Sequence, residues 1–237
     1  MNTFARALLV VFLGALSLRA RSLEVVCFGD STTAARPGVV TYCETLQREY
    51  SATVVNRGVP GNTTMDARAR FDRDVLELRP DLVFILFGIN DSSIDVWKNP
   101  PQDRPRVSLE DFRGNLRYFV DRLQAAGAQV VLMTFNPMHW TAKLRELYGK
   151  PPYRIDDPRG FDVGRAEYLD AIHQVAEEKR TQLVDVNAAF LAYAALPGHK
   201  LEDLTLDGIH PNSLGHSITT SLIRPILESA AQTKGKP

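Results

Sequence analysis

Six consecutive apolar residues, Leu82 to Phe87 (L-V-F-I-L-F), constrain the fold of this chain more than any other stretch. Bounded by Pro80-Asp81 and by Gly88, the run reads as a strand buried on both faces, as in the middle of a parallel sheet. Four shorter runs share its character: Leu23 to Phe28, Thr53 to Asn56, Val130 to Phe135 and Leu183 to Val186. Segments with helical spacing lie between them. Ala67, Phe71, Val75 and Leu78 form one apolar stripe, and Phe112, Leu116, Phe119, Val120 and Leu123 another. Helices are expected over about 41–50, 65–78, 109–126, 161–180, 188–195 and 213–231, and Gly127 fits a C-cap. Strands alternating with helices imply an α/β fold, a five-stranded parallel sheet with helices on both faces and right-handed crossovers. With 237 residues, no internal repeat and no linker, residues 21–237 are read as a single domain.

Residues 1–20 differ from the rest. Arg6 precedes an uncharged apolar run, Ala7 to Leu18, and Leu18-Arg19-Ala20 ends in a small residue. The run is too short to span a bilayer and reads as a secretory signal peptide; an uncleaved anchor is the alternative. The expectation is a secreted or periplasmic protein with no stable membrane insertion after processing. Lys plus Arg and Asp plus Glu both number 28, so the formal net charge is zero, and no basic stripe points to nucleic acid. Cys27 and Cys43 sit on a strand and the next helix. Buried free thiols are the default, and export leaves a disulfide open. Their spacing matches no zinc site.

The polar turns carry the chemistry. Gly29-Asp30-Ser31, Gly58 to Thr64 and Gly88 to Asp91 follow the first three strands, and Asp207-Gly208-Ile209-His210-Pro211-Asn212 precedes the last helix. Ligands bind outside the carboxyl ends of the strands in such sheets. An acid three residues from a histidine can orient the ring and stabilise its charged form, and the histidine can activate a serine hydroxyl. The Ser31 and Gly61 amides and the Asn90 side chain are candidate oxyanion donors. Each residue also has a plainer role: Ser31 as a helix cap, Gly61 and Asn90 as turn formers, Asp207 to Asn212 as a capping turn.

Together these four blocks resemble the SGNH, or GDSL-type, serine hydrolases, and the resemblance spans about Val25 to Ile226. It implies a flavodoxin-like three-layer fold and an open site without metal or other cofactor. It implies Ser31 as nucleophile, His210 as base, Asp207 as the third member, and Ser31, Gly61 and Asn90 around the oxyanion. Thr32 stands where the family name has leucine. The α/β-hydrolase elbow G-x-S-x-G does not occur.

The expected function is an exported serine esterase that removes short acyl groups, O-acetyl on a carbohydrate first, through an acyl-enzyme. A lysophospholipase or thioesterase-like activity and a non-catalytic glycan-binding module are the alternatives. Trp97, His139, Trp140 and Tyr153, in loops, are candidate substrate contacts; Trp97, Trp140, Tyr148 and Tyr153 either form a stacking wall for a sugar ring or only pack the loops. Asp30 and Asp91 are expected to bond loop amides, and His173, His199 and His216 to be solvated.

Overall fold

In the computed structural model, which describes residues 22–234, five parallel strands form one sheet. The signal-peptide segment lies outside the described residues. In chain order the elements are β1 (Leu23–Gly29), α1 (Tyr42–Glu49), β2 (Ala52–Gly58), α2 (Thr64–Asp74), β3 (Leu82–Leu86) and α3 (Leu109–Ala125). They continue as β4 (Gln129–Met133), α4 (Ala142–Tyr148), α5 (Arg165–Lys179), β5 (Gln182–Val184), α6 (Val186–Ala194) and α7 (Ser213–Lys234). Short 3-10 turns occupy Leu76–Leu78 and Leu201–Leu204.

The strand order is β2-β1-β3-β4-β5, so the most apolar run, β3, is the central strand, and all five of its residues are buried. Helices α2, α3 and α5 pack side by side on one face; α1, α7 and α6 do so on the other. On the first face Phe28 of β1 meets Phe71 of α2 and Phe119 of α3 with ring centroids 5.7 and 5.6 Å apart. These edge and tilted contacts are the preferred aromatic geometry. Helix starts are marked by side-chain caps. Thr41 with Glu44 and Thr63 with Asp66 form capping boxes, and Ser108 caps α3.

From β1 the chain steps outward to β2, then returns across β1 to β3. The winding direction therefore reverses between β1 and β3, and this reversal opens a crevice at their carboxyl ends. Ser31 lies just beyond β1 and Asn90 just beyond β3. Helix α4 lies between β4 and α5, where no helix is expected from the sequence, and the helix expected from Phe161 begins at Arg165, after Gly164 in a left-handed conformation. No helix among the described residues is long and apolar enough to cross a membrane.

Candidate active site

The four sequence-predicted turns meet at the crevice. His210 Nε2 lies 3.0 Å from Ser31 Oγ, and His210 Nδ1 lies 2.8 Å from Asp207 Oδ2. The other Asp207 oxygen accepts from the His210 and Ile209 amides at 2.9 and 3.1 Å. Burial works to raise the Asp207 pKa, but hydrogen bonds from the His210 ring and these amides outweigh it and hold the carboxyl well below the usual range. It is therefore a carboxylate at neutral pH, which favours a proton on His210 Nδ1 and leaves Nε2 free to accept from Ser31.

The Asp207 turn is held by the loop that follows β4. Asn136 Nδ2 donates to the Ile209 carbonyl at 2.8 Å, and the His139 amide donates to the Gly208 carbonyl at 3.1 Å. Thr205 Oγ1 bonds both the Gly208 amide and His139 Nε2. Gly208 has φ +90°, and a Cβ there would lie 2.5 Å from the His139 carbonyl oxygen, so glycine alone suits the position. Helix α7 is capped separately by Asn212 Oδ1, which accepts from the Leu214 and Gly215 amides. The turn therefore presents His210 and starts a helix at once.

Facing Ser31 is the turn Val59-Pro60-Gly61-Asn62, closed by Asn62 N–H on the Val59 carbonyl, with Gly61 at φ +79°. Proline followed by a left-handed glycine is the signature of a type II turn. Neither the Ser31 nor the Gly61 amide is engaged by a backbone acceptor of the described residues. Asn90 completes the set. Its Nδ2 donates to the Asn62 carbonyl at 3.0 Å, and its Oδ1 accepts from Arg106 Nη1 at 3.0 Å. Asp30 and Asp91 accept from the Thr32 and Thr64 amides, both at 2.8 Å. Arg70 braces the edge from below, donating to the Gly29 and Arg57 carbonyls and to Asn62 Oδ1.

A cavity of about 80 Å³ opens beside Ser31 and His210, lined further by Asn90, Arg106, Tyr148 and Arg165. That is room for about three water-sized groups. A wider hollow of about 570 Å³ between Ala35 and Arg48 contains none of the candidate residues.

The four residues expected to contact substrate do not line the Ser31 cavity. Tyr153 is buried and its hydroxyl accepts from the Ile94 amide at 2.8 Å. Trp140 is buried, stacked on Phe161 at 4.7 Å, with its indole N–H on the Asp157 carbonyl. His139 and Trp140 border a separate cavity of about 170 Å³. Trp97 is exposed beside Lys98. A stacking wall built from Trp140 and Tyr153 is excluded by this packing; Tyr148 is the aromatic residue at the cavity. His216 is buried against Tyr42 and not solvated. Cys27 and Cys43 are buried and unbridged. Arg106, Asn136 and Arg165 escaped the sequence reading because none belongs to a recognisable pattern. Their placement depends on loops returning from distant parts of the chain.

Comparison with known proteins shows the family. The sequence pattern of the GDSL-like Lipase/Acylhydrolase family matches residues 27–218. The chain belongs to that family and is a carboxylic ester hydrolase. An acetylxylan esterase of Geobacillus stearothermophilus is 30% identical over 205 residues, 84% of this chain and 83% of that protein. The crystal structure of Axe2, an acetylxylan esterase from Geobacillus stearothermophilus, superposes with a TM-score of 0.64 at 28% identity, covering 88% of this chain and 96% of the other. The uncharacterized lipoprotein YqeF of Bacillus subtilis is 36% identical over 124 residues, and the match spans about half of each protein, 48% and 49%.

Proposed function

We propose that this protein is an exported serine esterase that removes acetyl groups from a carbohydrate. The observation that carries the reading is the hydrogen-bonded chain Ser31–His210–Asp207 opening on a cavity of about 80 Å³. His210 Nε2 takes the Ser31 proton as Oγ adds to the ester carbonyl. The Asp207 carboxylate stabilises the resulting imidazolium. The carbonyl oxygen becomes an oxyanion that the Ser31 and Gly61 amides and Asn90 Nδ2 receive. Collapse breaks the bond to the sugar oxygen, which leaves as an alcohol with the proton from His210. The acyl group remains on Ser31. Water then adds through the same base, and acetate departs as Ser31 regains its proton.

The similarity to acetylxylan esterases supports a sugar acetate as the substrate, and the small cavity supports a short acyl group. The lipoprotein relative and the apolar N-terminal run support export. Acetate release from a panel of acetylated xylan, chitin and pectin fragments tests the substrate class. Release from at least one glycan is expected. In parallel, aryl acetate turnover should exceed aryl octanoate turnover; the reverse order would replace this reading with a long-chain acyl hydrolase. Ser31→Ala should lower turnover by roughly three or more orders of magnitude, and an unchanged rate would remove Ser31 from the mechanism.

A further inference from the structure

The sixteen residues between Asn90 and Val107 form no regular element, yet they are built to end at one place. Ser92 and Ser93 hydroxyls fold back on the Gly88 and Ile89 carbonyls. The Arg106 and Val107 amides then return to the Ser93 and Asp91 carbonyls. The return delivers the Arg106 guanidinium to Asn90. Its far side is fixed by Asp95, a buried carboxylate that takes Arg106 Nε and Nη2 at 3.0 and 2.7 Å and also pairs with Lys98. Burial alone would raise the Asp95 pKa, but these cations hold it below the usual carboxylate range.

An asparagine side chain has two ends of similar shape and opposite chemistry. A guanidinium carries donors only, so the atom that meets Arg106 must be Oδ1. A carbonyl accepts only, so the atom that meets Asn62 O must be Nδ2. The two neighbours together fix which way the Asn90 amide faces, and its second Nδ2 hydrogen is the donor that the Asp30 carboxyl and an arriving oxyanion share. A charged donor on Oδ1 also draws electron density from the amide nitrogen and strengthens that remaining donor.

We infer that Arg106 is a positioning residue for catalysis, orienting and polarising the Asn90 amide from a platform built by Asp95. The inference rests on Asn90 acting as an oxyanion donor. Loss of a whole oxyanion donor costs roughly 10²–10³ in kcat, and loss of its positioning partner should cost part of that, about tenfold.

The test is a double-mutant cycle on an aryl acetate, with Asn90→Ala, Arg106→Met, Arg106→Lys and the two combinations. Arg106→Lys keeps a charge opposite Asp95, whereas Arg106→Met leaves that buried carboxylate with Lys98 as its cation. A single ammonium cannot hold both Asp95 and Asn90 in the forked geometry. Both Arg106 variants should lower kcat about tenfold, with KM changed less than about twofold. In the Asn90→Ala background the same substitutions should change kcat less than about twofold. A short alkyl boronic acid, which forms a tetrahedral adduct on the serine, should lose affinity in parallel with kcat/KM. Equal losses in both backgrounds, an effect confined to KM, or an unchanged kcat in Arg106→Lys would each overturn the proposal. A wild-type rate in Asn90→Ala would instead remove the donor assignment itself. Loss of activity in Ser31→Ala with retained activity in both Arg106 variants would leave the esterase reading standing and Arg106 without a role.

Discussion

Asp30 and Asp91 are buried carboxyl groups, one just before Ser31 and one just after Asn90. Burial pushes each up to about 6 from an ordinary 3.8, and hydrogen bonds from Thr32 and Thr64 offset only part of the effect. A carboxyl raised in the folded state holds its proton longer than in the unfolded chain. Its contribution to stability is fully present below about 3.8 and is lost as pH rises through about 6. His216 runs the other way. Burial pushes it down to about 4 from 6.5, so its contribution is present above 6.5 and is lost as pH falls toward 4. The opposed trends flatten the wild-type curve, and single variants separate them. Asp91→Asn keeps an acceptor for Thr64 and removes one titration. Measured by urea unfolding from pH 4 to pH 7, its stability should rise relative to wild type by up to about 3 kcal/mol, whatever its constant offset. His216→Gln should decline relative to wild type over the same range. A pH-independent difference for Asp91→Asn would show that its carboxyl titrates normally. The amide-bonding roles of both aspartates were legible in the sequence, because short acids after strands bond loop amides. The burial of His216 was not, since the packing of α1 decides which side of α7 faces inward.

Among the elements, the loop between β4 and α4 does the least regular and most consequential packing. Asn136 and His139 grip the backbone of the Gly208–Ile209 turn and so fix where His210 stands. Asn136→Ala removes a buried donor to the Ile209 carbonyl and frees the turn to shift. A shift of about 1 Å at reacting groups costs up to about 100-fold. The variant is therefore expected to lose roughly ten- to 100-fold in kcat while Ser31 remains open to fluorophosphonate labelling at a reduced rate. Full turnover in a folded Asn136→Ala protein would show that the turn is rigid without this clamp. The five strands were legible because each buried run is apolar and bounded by turn residues. The helices were legible to within a few residues because their stripes and caps are local signals. The segment 136–164 was not: its aromatic residues satisfy one another, Trp140 on Phe161 and Tyr148 against Tyr153. An aromatic residue in a loop reads the same in sequence whether it packs inward or faces a ligand. For the same reason Tyr148, at the cavity, could not be told from Tyr153, beneath it.

For the whole molecule, the parallel sheet is what makes distant turns meet. Every strand ends at the same edge, so polar turns after β1, β2 and β3 must converge however far apart they lie in sequence. The fourth turn, Asp207 to Asn212, arrives from beyond β5; its Asp/His spacing marks it in the sequence, and its reach to Ser31 is seen only in the structure. The same architecture makes the two cysteines reporters of global opening. Cys27 lies on β1, hydrogen-bonded between β2 and β3, and is fully buried. Cys43 lies in α1 under the same layer, and burial pushes its thiol well above the usual range. Local fraying of a loop exposes neither, because β1 cannot leave the sheet without breaking two ladders. An aromatic disulfide reagent should therefore find no reactive thiol in the native protein and two per chain in denaturant. Under native conditions its slow reaction should follow the unfolding rate measured independently, because the reagent reaches neither buried sulfur before opening. Fast labelling of one cysteine in the folded enzyme would show that α1 detaches from the sheet as a unit. Absence of any thiol after denaturation without reductant would show that the protein as isolated carries a Cys27–Cys43 bridge.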